Sequence, residues 1–510
     1  MRFPSSFFSS RVLFRFLFRF LSRFHPRFHS LFCLNCLGVS IALPLLLAAP
    51  GAGAQQPPPV VAEALQKAGI PKDAVGIYVQ EAAPKGKMLV ALNASAGLNP
   101  ASVMKLITTD AALELLGPGF NWKTKAYADG AQNGDVLNGD LIFKGGGDPK
   151  LVIENFWLFL RQIRARGIRD IRGNVVLDRG MFAPAFYDAA QFDGDPRKPY
   201  NVGPDALLLN YKTLAVRFMP DSASGTVNVM LDPPLADVAV RPPALGLGTG
   251  TCDGENWRDQ VQEASDEKTI AFNGIFPAAC GEKVWYLHPY RMTGNEYFAA
   301  VFRQMWRDLG GKFDGKVVSG TVPDGARQVG EWQSATLPEV IRDINKYSNN
   351  VMARQVLLTL AATIAAPESN APADTAAGAR VIQDWLGGKG IAAPELVVDN
   401  GAGLSRIGRV APATLGQLLL SAFQSATMPE LLSSMPLVGV DGTMRKRLKD
   451  REVSGQAHVK TGSLNNVRAI AGYVLASSGK YYVVVFLINH PNAVFGQKAQ
   501  DALLQWVYEH

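Results

Sequence analysis

The periodicity of the sequence changes twice, and the two changes divide the chain. From Asn99-Pro100-Ala101 a helical pattern runs to Leu116 and stops at Gly117-Pro118-Gly119, with proline close to the first helical position and glycine beyond the last. From Asn121 to about 325 short β-type runs take over, at 136–143, 174–177, 214–218, 226–231 and 283–287, separated by Gly and Pro turns and broken by a helical stretch at 297–309. Helical patterns return at 337–347, 351–365, 373–386 and 413–425. The two ends match each other: runs 75–80 and 88–92 read as a hairpin turning at Pro84-Lys85-Gly86, and 467–475 and 480–489 as a buried hairpin turning at Ser477-Ser478-Gly479, before a last helix at 495–508. A short Pro-rich tether, 55–60, precedes the first globular pattern. The expected architecture is an α/β (α+β) domain formed by 55–119 and 326–510, interrupted by a β-rich insert at 120–325. The insert is expected to nest two domains, the inner one at about 213–288.

Composition matters mainly for what it excludes. With 47% apolar and 19% charged residues in 510, the chain is no disordered polymer. Its net charge of +7 suggests nucleic acid, but six arginines and no acidic residue lie in 1–54, leaving 45 basic against 44 acidic residues elsewhere. The basic character belongs to a leader, and no nucleic-acid partner is expected. That leader joins an Arg/Phe-rich stretch to an apolar run at 37–49 and the small-residue sequence Ala52-Gly53-Ala54. It reads as an export signal cleaved near Ala54/Gln55, placing the mature chain in the periplasm, with an uncleaved anchor as the competing reading. Two cysteines remain after cleavage, Cys252 and Cys280. In an oxidising compartment they are expected to close a loop of about 29 residues, contributing about 3–4 kcal/mol.

Three short motifs carry the chemistry. Ser102-Val103-Met104-Lys105 puts a hydroxyl and an amine three residues apart at a helix start, hence on one face. A neutral amine there accepts the serine proton if burial and neighbouring cations depress its pKa. Ser348-Asn349-Asn350, at a loop tip between helical patterns, offers a hydroxyl and an amide to relay a proton and hold a substrate amide. Lys460-Thr461-Gly462, on an extended segment, presents an ammonium and a hydroxyl to a carboxylate, while glycine allows close backbone approach. Each motif alone recurs by chance or as an ordinary helix cap; in the order SxxK…SxN…KTG they form the signature of penicillin-binding proteins and serine β-lactamases. Spacing separates these two, because Ser102 to Ser348 is 246 residues and Ser348 to Lys460 is 112, more than a compact β-lactamase holds.

The chain resembles the low-molecular-mass class C penicillin-binding proteins of the penicillin-binding protein 4 type, D-alanyl-D-alanine carboxypeptidases and endopeptidases of peptidoglycan. Beyond the motifs, LNPASVMKL (98–106), FKGGGDP (143–149), DNGAGLSR (399–406) and HVKTGSL (458–464) look like that family's sequences, and the similarity spans 61–510. One departure is Ala402, where relatives commonly carry serine. The resemblance implies a transpeptidase-like fold with accessory insert, and Ser102 as nucleophile with Lys105 as its base. Ser348 would then relay a proton, Asn350 would hold substrate, and Lys460 and Thr461 would bind the terminal carboxylate. It further implies an oxyanion hole from the backbone N–H groups of Ser102 and Ser463 beside Gly462, and Arg406 as a further carboxylate ligand. The implied partners are peptidoglycan stem peptides, with β-lactams as acylating inhibitors.

Other chemistries lack their motifs. There is no H-E-x-x-H for a zinc peptidase and no G-x-S-x-G for a hydrolase elbow, and Gly145-Gly146-Gly147-Asp148 lacks the Gly-Lys-Ser/Thr ending of a phosphate loop. No metal and no cofactor are expected. Two rival functions stay open: a β-lactamase or esterase on the same scaffold, and a non-catalytic periplasmic binding protein that keeps the fold. Turnover of penicillin discriminates the first, and inert Ser102 the second.

Overall fold

The computed structural model describes residues 56–510 apart from 185–186, 242–243, 253, 255, 267–268 and 366–370, so the expected export signal lies outside the described residues. A five-stranded antiparallel sheet joins the chain's two ends, in the order Ala457–Leu464, Val467–Leu475, Tyr481–Asn489, Val75–Glu81, Met88–Leu92. Its central strand, Tyr481–Asn489, reads as an unbroken apolar run because both faces are covered. Alternate residues point to opposite sides. Val483, Val485 and Leu487 enter a core with helices Met104–Leu116, Leu337–Tyr347, Asn350–Leu360 and Pro412–Phe423, while Val484, Phe486 and Ile488 meet Val61, Leu65, Leu503 and Val507 from helices Pro59–Lys67 and Gln497–Tyr508. The first of these helices begins inside the stretch read as a tether.

Helix Met104–Leu116 lies in the middle of the first core: every residue from Met104 to Leu113 is buried, Lys105 and Asp110 among them. A helix apolar on all sides is expected only in such a central position. It therefore offers the Ser102–Lys105 motif a rigid base.

The middle of the chain builds several further sheets. Asn121–Asn133 pairs with Val136–Lys144 and with Arg327–Thr336, so this sheet runs past the expected boundary at 325. Helices Ile153–Ala165 and Gly294–Asp308 cover it through Phe143, Phe156, Phe159, Phe298 and Phe302. Leu214–Asp221 pairs with Thr226–Asp232 and Lys283–Leu287, and Phe272–Pro277 with Ala244–Gly248 and Val261–Glu263. Cys252 and Cys280 are joined here, with Cα atoms 5.0 Å apart.

Candidate active site

The turn before helix Met104–Leu116 is not the plain helix start that the sequence pattern predicts. Ala101 takes a left-handed φ of 46°, and Ala101–Val103 forms a tight 3-10 turn before the regular helix begins. A non-glycine residue holds such a conformation only when its surroundings enforce it. Here Asn99 Oδ1 accepts the Ala101 N–H (2.9 Å), Asn99 Nδ2 donates to the Ser405 carbonyl (2.9 Å), and Asn489 exchanges hydrogen bonds with the Asn99 backbone (2.8 and 3.0 Å). Gly403 closes the turn from the other side: a Cβ there would lie 1.8 Å from the Ala101 carbonyl oxygen. Ser102 is thus presented on a corner fixed from three parts of the chain.

Lys105, one turn on, is fully buried. Its Nζ lies 2.9 Å from Ser102 Oγ, 2.5 Å from Asn350 Oδ1 and 2.6 Å from the Ala402 carbonyl oxygen. An amide oxygen and a backbone carbonyl only accept hydrogen bonds. They occupy two N–H bonds of the amine and leave the third direction for Ser102. Burial first, then the positive charges of Lys460 and Arg354, hold the Lys105 pKa well below that of an ordinary lysine. A neutral amine so placed has its lone pair on the serine hydroxyl.

Ser348 and Asn350 occupy the corner between two helices. Leu337–Tyr347 starts with a capping box from Thr336 and Glu339 and ends at Ser348, whose φ of 58° turns the chain sharply. Asn349 then caps Asn350–Leu360 by accepting the Met352 N–H (3.0 Å). The bland reading of this triplet, a helix cap, is true of Asn349, and it is what frees its two neighbours to face inward.

The third motif lies on the strand Ala457–Leu464. Lys460 is fully buried, with Nζ 2.9 Å from Ser348 Oγ and 2.8 Å from the Thr461 carbonyl oxygen; burial pulls its pKa down to about 7. A Cβ on Gly462 would come within 2.6 Å of the Pro100 carbonyl oxygen and 3.0 Å of the Ser102 nitrogen, so glycine lets this strand touch the Ser102 turn. Thr461 Oγ1 lies 2.7 Å from Thr443 Oγ1, and Ser463, next to Gly462, is exposed.

Two groups of motif residues therefore form, Ser102–Lys105–Asn350 and Ser348–Lys460, and Gly462 joins strand to turn. Arg406 stands apart from both. It is exposed, stacks 4.4 Å over the Phe192 ring, and borders a cavity of about 510 Å³ that Arg354, Tyr187 and Asp399 also line. Sequence reasoning missed the Ala402 carbonyl, Asn99, Thr443 and Arg354. The stretches 399–406 and 98–106 pointed to Ala402 and Asn99 only through the family resemblance, and Thr443 and Arg354 carried no motif. Among the described residues no cluster of three or more His, Cys, Asp or Glu is arranged to hold a metal ion.

A family model described as the D-Ala-D-Ala carboxypeptidase 3 (S13) family matches residues 59–510. The D-alanyl-D-alanine carboxypeptidase DacB of Haemophilus influenzae is 25% identical over 416 residues, covering 79% of this chain and 83% of the relative. The D-alanyl-D-alanine carboxypeptidase of Actinomadura sp. (strain R39) is 27% identical over 429 residues, covering 79% and 76%. The solved structure of penicillin-binding protein 4 from Haemophilus influenzae superposes with a TM-score of 0.70 at 22% identity over 87% of this chain and 99% of its own, so the two share a fold.

Proposed function

From the premise that the chain belongs to the D-Ala-D-Ala carboxypeptidase 3 (S13) family, we propose that it removes the terminal D-alanine of peptidoglycan stem peptides through an acyl-enzyme on Ser102. The observation that carries this reading is the Lys105 environment, where two carbonyl acceptors leave the amine lone pair to Ser102. Lys105 takes the hydroxyl proton as Ser102 Oγ attacks the carbonyl between two D-alanines. The oxyanion is received by the backbone N–H groups of Ser102 and Ser463, which the Gly462 contact brings close. Ser348, bonded to Lys460, relays the proton taken up by Lys105 to the departing D-alanine amine, leaving Lys105 neutral for the water step, and Asn350 steadies the substrate amide while holding Lys105. Lys460 and Thr461 bind the terminal carboxylate. The peptide adds as a strand beside Lys460–Ser463, and water then hydrolyses the ester.

The bond from D-alanine to meso-diaminopimelate in a cross-link offers the same carbonyl, so endopeptidase cleavage follows the same path. We assign Arg406, beside its open cavity, to a substrate carboxylate away from the scissile bond. A β-lactam presents a strained version of that carbonyl and should acylate Ser102 likewise; the Haemophilus influenzae penicillin-binding protein 4 has been solved in complex with a β-lactam, which supports β-lactam binding here. Such a substrate lies outside the cytoplasm, in keeping with export directed by 1–54 to the periplasm. We take the middle of the chain, expected at about 120–325 and carried on to about 336 by strand Arg327–Thr336, as the accessory insert and the rest of 55–510 as the transpeptidase-like domain.

Intact-mass measurement after brief exposure to benzylpenicillin tests the mechanism. One adduct per chain is expected, absent from Ser102→Ala, together with D-alanine release from a D-Ala-D-Ala peptide. An unmodified chain with intact penicillin would leave a binding protein, and rapid loss of penicillin without an adduct would indicate a β-lactamase.

A further inference from the structure

The loop before the Ala457–Leu464 strand reaches both the SxN corner and the KTG strand. Asp441 accepts the Leu437 N–H through one oxygen (2.8 Å) and pairs with Lys346 Nζ through the other (2.6 Å); Lys346 lies two residues before Ser348 and its side chain is only 8% exposed. Gly442, at φ 53°, seats the loop on the end of helix Leu337–Tyr347, where a Cβ would fall 2.6 Å from the Lys346 carbonyl oxygen. Met444 is fully buried in the core under the sheet. Between these anchors Thr443 is held with Oγ1 2.7 Å from Thr461 Oγ1. A surface threonine hydroxyl is ordinarily satisfied by water; this one is fixed on each side by the backbone that carries it.

We propose that Thr443 is a substrate-positioning residue, which donates its hydroxyl proton to Thr461 Oγ1 and so directs the Thr461 hydroxyl at the terminal carboxylate of the substrate. The inference rests on the carboxypeptidase reading. Each hydroxyl has a single proton, and a carboxylate only accepts. When the anion arrives at Thr461, that proton must point to it, and the Thr461 oxygen is then free to accept from Thr443. The resulting chain, Thr443 to Thr461 to carboxylate, runs in one direction and each bond polarises the next. The Lys346–Asp441 pair keeps the first donor in place, so the loop couples the geometry of the SxN corner to carboxylate recognition.

The test compares two substrates of the full chain, a peptide ending in D-Ala-D-Ala with a free carboxylate and the same peptide as its C-terminal amide. In Thr443→Val, KM for the free acid is expected to rise up to about tenfold with kcat within a factor of two, the loss of one hydrogen bond between two hydroxyls. Cleavage of the amide should be unchanged, and Thr443→Ser should restore the wild-type KM. Equal losses on acid and amide, no loss on either, or failure of Thr443→Ser to rescue would overturn the assignment. Wild-type protein that is neither acylated by benzylpenicillin nor able to release D-alanine would instead overturn the functional reading, and this one with it.

Discussion

The two lysine–serine pairs of the candidate site set the same residue types in different surroundings. Lys105 and Lys460 are both fully buried, and each lies 2.9 Å from a serine hydroxyl. Around Lys105 the remaining partners are two oxygens from distant parts of the chain, and two cations, Lys460 and Arg354, add to the effect of burial. Around Lys460 the other partner is the carbonyl of its own neighbour, Thr461, and burial alone brings its pKa to about 7. The first lysine is held well below the ordinary lysine range by burial and two cations, whereas burial alone acts on the second, and a bound carboxylate would favour its ammonium form. Residue type and burial are equal in the two cases, so the number and sign of neighbouring charges decide the role.

The strongest way to break this contrast is to delete each amine. Lys105→Met should lower the rate of Ser102 acylation by about 10³-fold or more at pH values where Lys105 is neutral, the loss of a general base. Lys460→Met should cost about 10²-fold, expressed largely in KM for substrates with a free carboxylate. Equal losses, measured by acylation with benzylpenicillin and by hydrolysis of a D-Ala-D-Ala peptide, would remove the division of labour. Lys105→Met should also melt higher than wild type. Folding with a depressed lysine pKa releases a proton, so that site's penalty is greatest at low pH and fades as pH rises towards the ordinary lysine value.

Contact between the two regions depends on Gly462. Alanine there places a methyl group 2.6 Å from the Pro100 carbonyl oxygen, backbone against backbone, and the strand must move away from Ser102. Gly462→Ala is expected to lose up to about 10²-fold in kcat/KM, the scale of a small misplacement at a reacting centre. Retained activity would show that strand and turn need not touch.

The pH dependence sharpens the comparison further. Activity should rise with pH as Lys105 loses its proton, and kcat/KM for a free-acid peptide should fall about tenfold per pH unit above about 7 as Lys460 loses its charge. Lys460→Met should lack the alkaline fall. If the fall persists near the same pH, another group carries it.

Much of this arrangement was legible because it is written locally. The helix at Leu337–Tyr347 and the strands at Lys283–Leu287 and Val467–Leu475 lie where periodicity puts them, and the motif lysines and serines fall on a helix start, a corner and a strand as their chemistry requires. Helix Ile153–Ala165 carries a helical spacing in Phe156, Phe159, Leu160 and Ile163, but its place among β-type runs hides it from periodicity. Other features had no local signal. The Ala402 carbonyl that binds Lys105 is a backbone atom 297 residues away, and its direction is set by Asn400 Oδ1, which accepts the N–H groups of Ala402 and Gly403. The left-handed turn at Ala101 likewise comes from Asn99 and Gly403 closing on it. Side-chain types announce the chemistry; the backbone that orients them appears only in the fold.

Asp110 separates burial from function on the same helix. It is fully buried five residues after Lys105, neither carboxylate oxygen has a hydrogen-bond partner among the described residues, and its pKa is pushed up to about 8, by burial and then by Glu114, against the pull of Lys389. Lys105 is depressed within a network that uses it; Asp110 is raised with nothing to donate to. The folded chain holds this carboxyl protonated at neutral pH, whereas the unfolded chain ionises it at the ordinary aspartate value. Folding therefore takes up a proton between those two values, and the site's contribution to stability falls as pH rises through that window, up to about 8. Asp110→Asn keeps the shape and removes the titration. Relative to wild type, its Tm should gain about 2–5 °C between pH 4 and pH 8, with acylation of Ser102 unchanged. A Tm difference that stays constant with pH would mean that Asp110 is ionised in the folded chain, and that burial alone does not set the state of a charge in this core.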